Sequence, residues 1–315
     1  MFLAAAPVES QLFLLFPLAS SLIYVAGALS LKRASQAGAG IWRTAFVSNV
    51  TTAVLFSPMA LFPIFMPSTA GPMPLWQPAL IALAFVVGQA CTMYALNKGD
   101  VSIATPVVGT KVIFVAFFAT LILGNRLAWP VWMSAAMSAL GIGVLNRGGS
   151  GGKKNVGRTV VSSLAAAACY AIFDVMVRRW SPAWGSGRLL PLMFGIGAVY
   201  SLAMVPFFDG PSLRISREAA VPLLVGSALI ALQSMLLITT ITMVDRVTEI
   251  NVVYNSRGLW SVVAVWLVGH WWGNTEMSAG GSKLAWRLCG AGLLLLAILM
   301  SVYSAHIERW LGGVA

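Results

Sequence analysis

Ten apolar runs, each about as long as a bilayer is thick, follow one another along this 315-residue chain and leave little room for anything else. They lie near Gln11–Leu31, Ile41–Phe65, Trp76–Asn97, Val101–Gly124 and Pro130–Leu145, then Thr159–Val177, Leu189–Phe208, Ala219–Met243, Val247–Gly269 and Leu288–Ala305. In lipid every backbone polar group needs an internal partner, so runs of this length are read as helices. Several joints are very short, such as Lys98-Gly99-Asp100 and Asp245-Arg246. Such joints exclude a soluble catalytic domain between the spans. Composition agrees: 59% of residues are apolar and 9% charged, whereas soluble domains carry about a quarter charged residues. The expectation is an all-α membrane protein with ten transmembrane helices.

The net charge of +11 would point to nucleic acid in a soluble chain. Here the cations fall almost entirely between or beside the apolar runs, where loops and lipid headgroups account for them. No nucleic-acid partner is therefore expected; the lipid bilayer is the partner. Cys91, Cys169 and Cys289 all lie inside apolar runs, with no spacing that suggests a metal site or disulfide framework. Neither a metal nor a cofactor is expected. No basic region or cleavage site precedes the first run, so Gln11–Ser30 is read as a retained helix.

The chain repeats itself at an offset of about 146 positions. Val101 falls on Val247, Ser102 on Thr248, Val107 on Val253, Thr110 on Ser256 and Lys111 on Arg257. At the same offset Leu18-Ala19 meets Leu164-Ala165, Tyr24 meets Tyr170, and Lys32-Arg33 meets Arg178-Arg179. Each unit holds five runs, an odd number, so the second copy must enter the membrane with opposite orientation. The expected architecture is two inverted five-helix repeats: residues 1–147, a Gly- and Lys-rich cytoplasmic linker at 148–157, and residues 158–315.

Lys111 and Arg257 stand about ten residues into their runs, close to the membrane midplane at 1.5 Å per residue. A charge there costs a few kcal/mol or more and is normally turned to a cavity or a counter-ion. Pro106 and Gly109, just before Lys111, mark a point where the helix is expected to kink or break and free backbone groups. Around Arg257 the chain offers Asn251, Tyr254, Asn255 and Ser256. Arginine presents a planar fork suited to carboxylate or phosphate, and lysine a point charge. Tyr24 and Tyr170 are expected to line the same cavity, with Gln89 and Gln233 adding polar groups. Only two acids lie within the runs: Asp174, expected to pair with Arg178 one turn on, and Glu249, expected to be neutralised locally by Arg246. The bland alternative leaves Lys111 clamped to a buried carboxylate, and the polar residues engaged in interhelical hydrogen bonds.

The passage Tyr94-Ala95-Leu96, Val101 to Val108 (VSIATPVV) and Leu121-Ile122-Leu123-Gly124-Asn125 resembles the helix-three-to-five signature of the EamA-like group of the drug/metabolite transporter superfamily. Asn125 departs from the acidic residue usual after that glycine. The resemblance implies ten helices in an inverted repeat and a transport function. Basic residues on the fourth and ninth helices are also similar to those of the sugar-phosphate/phosphate branch, which implies that Lys111 and Arg257 hold an anion.

Twelve Lys or Arg lie in loops on one side and six on the side of the termini, so the positive-inside rule puts both termini outside the cytoplasm of an inner (plasma) membrane. The resemblance implies the opposite orientation. No enzyme is expected. GGSGGKK at 148–154 lacks the glycine spacing and hydroxyl residue of a phosphate loop, and His270 and His306 are isolated. The functional expectation is a secondary transporter of a small anionic metabolite (carboxylate or phosphate), working by alternating access with exchange of anions. The alternative is an exporter of amino acids, amphipathic amines or drugs, with Lys111 and Arg257 in structural salt bridges. Ser134 and Ser138, with Gly290 and Gly292, offer small-residue surfaces for close helix packing or a homodimer.

Overall fold

The computed structural model describes residues 11–62, 73–98, 101–145, 156–208, 215–268, 281–304, 307 and 310. The expected linker falls almost wholly outside these, as do His270 and His306; α7 already begins at Val156.

Among the described residues the chain is all helical, with no strand. The helices are α1 (Leu15–Gln36), α2 (Ile41–Phe56), α3 (Trp76–Lys98), α4 (Val101–Gly109), α5 (Lys111–Phe118), α6 (Trp129–Leu145), α7 (Val156–Trp184), α8 (Ser186–Tyr200), α9 (Arg217–Met243), α10 (Val247–Tyr254), α11 (Arg257–Val268) and α12 (Gly281–Val302). Among the described residues seven helical stretches are long and apolar enough to cross a membrane; Trp129–Leu145 and Leu288–Val302 are apolar but shorter. Trp76, Trp129 and Trp310 are exposed, as interfacial anchors would be.

The main packing partners join the first half of the chain to the second. α1 runs along α9, α3 along α7, and α6 along α12, while α4 and α5 lean on α7 and α10 and α11 lean on α1. Between lipid-embedded helices there is little hydrophobic drive, so close approach depends on small residues. Ser134 and Ser138 are fully buried inside the bundle, which removes them from any dimer surface. Gly290 of α12 meets α6 backbone to backbone: a Cβ there would stand 2.5 Å from the Leu145 nitrogen and 2.7 Å from the Gly141 oxygen. Gly292, two residues on, faces open space. Gly290→Ala is therefore expected to cost about 1–3 kcal/mol through forced separation of α6 and α12, and Gly292→Ala to be silent. Thermal unfolding of the two purified variants checks this contrast.

Two of the ten runs are broken in the same way. The run from Val101 stops at Gly109 and restarts at Lys111; the run from Val247 stops at Tyr254 and restarts at Arg257. At both breaks the amide bonds three residues back instead of four: Thr110 N donates to Val107 O at 3.1 Å, and Ser256 N to Val253 O at 3.0 Å. These donors and acceptors are themselves 146 positions apart. Pro106 lies inside α4, where it lacks the N–H an unbroken helix would use. Gly109 lets the break press against α6, since a Cβ there would lie 2.8 Å from the Ile142 side chain. Beyond α5, Ala119–Leu123 winds as a π-helix closed by Gly124 at φ 73°, a left-handed end suited to glycine.

Candidate functional site

Because both runs break just before a cation, Lys111 and Arg257 each become the first residue of a helix, α5 and α11. Their charges add to the positive end of the helix dipole instead of offsetting it. The two breaks touch each other: Asn255 Nδ2 donates to Gly109 O at 3.4 Å and to Ser138 Oγ at 2.9 Å. Ser256 exchanges a 3.1 Å hydrogen bond with Ser21 of α1. Lys111 and Arg257 act electrostatically on each other, so the two halves of the chain bring their cations to one region.

The two cations nevertheless meet different surroundings. Lys111 Nζ lies 2.6 Å from Asp174 Oδ2 on α7, with the lysine side chain 12% and the aspartate 1% exposed. The expected Asp174–Arg178 pair does not form. Arg178 instead bonds Asp245 at 3.1 Å and the Thr242 carbonyl at 2.8 Å. The reason is tertiary: α7 crosses α5 at the level of Asp174, and a buried lysine outcompetes an arginine that can reach the loop.

Arg257 has no carboxylate within 4.0 Å among the described residues. Its guanidinium lies 4.8 Å from the Tyr24 ring centre and 4.6 Å from that of Tyr254, and it donates to the Tyr254 hydroxyl at 3.0 Å. The two rings meet edge to face with centres 6.0 Å apart. Tyr170 lies within electrostatic range of Arg257 and Tyr24, and its hydroxyl is 3.4 Å from that of Thr92. Rings hold a cation without neutralising it. Among the described residues the half-buried Arg257 charge therefore has no carboxylate partner.

The remaining expected site residues each make hydrogen bonds to neighbouring groups. Gln89 and Asn49 exchange amide hydrogen bonds of 2.7 and 3.0 Å between α3 and α2. Gln233 of α9 accepts from Ser20 of α1 at 3.1 Å and donates to Ser234 at 2.6 Å. Asn251, 1% exposed, donates back to Val247 O in its own helix. These hydrogen bonds are interhelical or intrahelical ties. Glu249 and Arg246 act on each other electrostatically but form no ion pair within 4.0 Å, and the Arg246 guanidinium sits over the Phe13 ring at 5.9 Å. Sequence reasoning missed Asp174 as the partner of Lys111, and also the tie at one end of the bundle. There Asn125 reaches Asp245 at 3.5 Å and Arg179 donates to Ile122 O at 2.8 Å.

Residues 11–147 match the model of the EamA-like transporter family. No curated protein matches the chain. A solved crystal structure, described only as that of a protein, superposes with a TM-score of 0.69 at 17% identity, covering 96% of this chain and 99% of the other. At that identity the likeness speaks for the fold alone. Over residues 11–147, less than half of its length, the chain is thus similar to the EamA-like transporter family.

Proposed function

We propose that the chain is a secondary transporter that carries a small anion, a carboxylate or a phosphate, on Arg257. The observation that carries this reading is the unneutralised guanidinium between Tyr24 and Tyr254, beside the first turn of α11. A substrate anion supplies the missing counter-charge and meets a bidentate donor. Tyr24, Tyr254 and Tyr170 wall the site; Asn255 and Asn251 hold the α10 side of it in shape. Lys111 is kept neutral overall by Asp174, so it tunes the site more than it binds there.

The reading includes an inverted repeat of ten helices, residues 1–147 and 158–315. It is supported by the matched breaks at Thr110 and Ser256 and by the reciprocal packing of α1 with α9 and of α3 with α7. Alternating access then rocks one half against the other about the breaks, with Pro106 and Gly109 on the first. Both termini lie outside the cytoplasm of the inner membrane in this proposal. Exchange follows if the uncompensated Arg257 opposes reorientation of the empty carrier. Counterflow of labelled benzoate in proteoliposomes tests exchange: uptake should need an internal anion, and uptake into anion-free vesicles at the same rate excludes it.

The second reading, export of amphipathic amines, amino acids or drugs, draws on the Lys111–Asp174 pair, because it satisfies one of the two salt bridges that reading requires. The two separate by thermal shift of purified protein. Millimolar benzoate, succinate or inorganic phosphate should stabilise it under the anion reading, and tetraphenylphosphonium or an alkylamine under the other.

A further inference from the structure

One acidic group in the bundle takes no part in the site just described. Glu249 stands in the first turn of α10 with 9% of its surface exposed, and its Oε2 is buried without a hydrogen-bond partner among the described residues. The adjacent Thr248 hydroxyl, on a residue 1% exposed, also has none. Along the chain Glu249 lies between two contacts: Arg246, just before α10, over Phe13, just before α1, and Tyr254 against Tyr24 of α1 at the cation site. Five residues separate it from Tyr254, about 8 Å along a helix.

Among the described residues no cation lies within 4.0 Å of Glu249, although Arg246 acts on it electrostatically. Arg246 sits over Phe13, and Asp245 is held by Arg178. Of the packed helices, α5 brings Lys111 and α7 brings Asp174, already joined to each other, and Arg179 of α7 is turned to the Ile122 carbonyl. α6 carries no ionisable residue. α1 brings Tyr24, with Lys32 and Arg33 near its opposite end, and α9 has Arg217 and Glu218 at its opposite end. α12 carries Lys283, Arg287 and Cys289 in its first turns and Tyr303 just past its end.

An ionised carboxylate removed from water without a counter-ion costs several kcal/mol, and a protonated one avoids that cost. We propose that Glu249 is a proton-binding site through which transport is coupled to proton movement. It carries one proton while the Asp245–Arg178 pair is made, as here, and releases it to water when that pair parts and the end opens beside α10. The ligand is a proton, delivered and removed by bulk water on either side. The inference deepens the transporter reading and rests on it, but not on the charge of the substrate.

Hydrogen–deuterium exchange of the full-length protein in nanodiscs, between pH 5.5 and 8.5 and corrected for intrinsic exchange, tests the proposal without any substrate. In the wild type, opening of peptides covering 244–254 should rise with pH, by up to about tenfold per unit for one proton. Glu249→Gln keeps shape and an acceptor but cannot release a proton, so it should stay protected at every pH. Glu249→Asp should keep the pH response, which preserves the test should the glutamine variant fold poorly. Arg257→Gln should also keep it, so failure of the anion site and failure of proton coupling give different results. A wild type whose exchange is flat across the range, or a glutamine variant that responds as the wild type does, overturns the proposal.

Discussion

Lys111→Met is expected to be among the most damaging single substitutions in the chain, and Lys111→Met combined with Asp174→Asn to restore most of what it loses. The lysine variant strands a carboxylate that is 1% exposed, and Arg178, one turn on, is held by Asp245 and Thr242 O. Breaking a buried pair from one side costs about 3–5 kcal/mol, whereas removing both charges is close to neutral. The lysine side chain is 12% exposed, so some water relieves the cost of the reverse variant; Asp174→Asn alone should be milder than Lys111→Met. Thermal unfolding of the three purified variants measures this cycle. Equal, additive losses from the two single changes would show that the pair contributes nothing beyond its parts.

Arg257→Gln has the second large effect, but on ligand response instead of stability. Among the described residues the guanidinium donates a hydrogen bond to Tyr254 and lies over two rings. A glutamine can replace the bond but not the charge. Hydrogen bonds to charged groups contribute about 1.5–3 kcal/mol, so anion affinity should fall on the order of 10- to 100-fold. Arg257→Lys keeps the charge and loses the planar fork and much of the stacking, and should fall between the two. Benzoate or phosphate titrations followed by thermal shift report all three. An unchanged response in Arg257→Gln would move the anion elsewhere.

Much of this arrangement was legible in the residues. The offset that aligns Lys111 with Arg257 also aligns the two helix breaks, and Pro106 with Gly109 marks the first of them. The second break has no proline; Asn255 and Ser256 interrupt α10 through tertiary ties to Ser138 and Ser21, which no local pattern reveals. Asp174 shows why helical spacing misleads inside a bundle. Its i,i+4 neighbour Arg178 sits at the right distance along α7, yet α5 delivers a buried lysine from 63 positions away. The polar residues Gln89 and Gln233 were recognisable as costly in lipid, but whether a neighbouring helix or a cavity satisfies them depends on which helices touch. Likewise Gly290 reads as a small residue in sequence and becomes a backbone contact only once α6 lies against it.

The central claim is that one uncompensated cation, Arg257, awaits an anion. Equilibrium binding of radiolabelled benzoate and phosphate to the purified protein measures it most directly. The account predicts saturable binding of at least one of the two, near one per chain, competed by other anions and lost in Arg257→Gln while Lys111→Met/Asp174→Asn retains it. No saturable binding of either anion, or equal binding in Arg257→Gln, would contradict it.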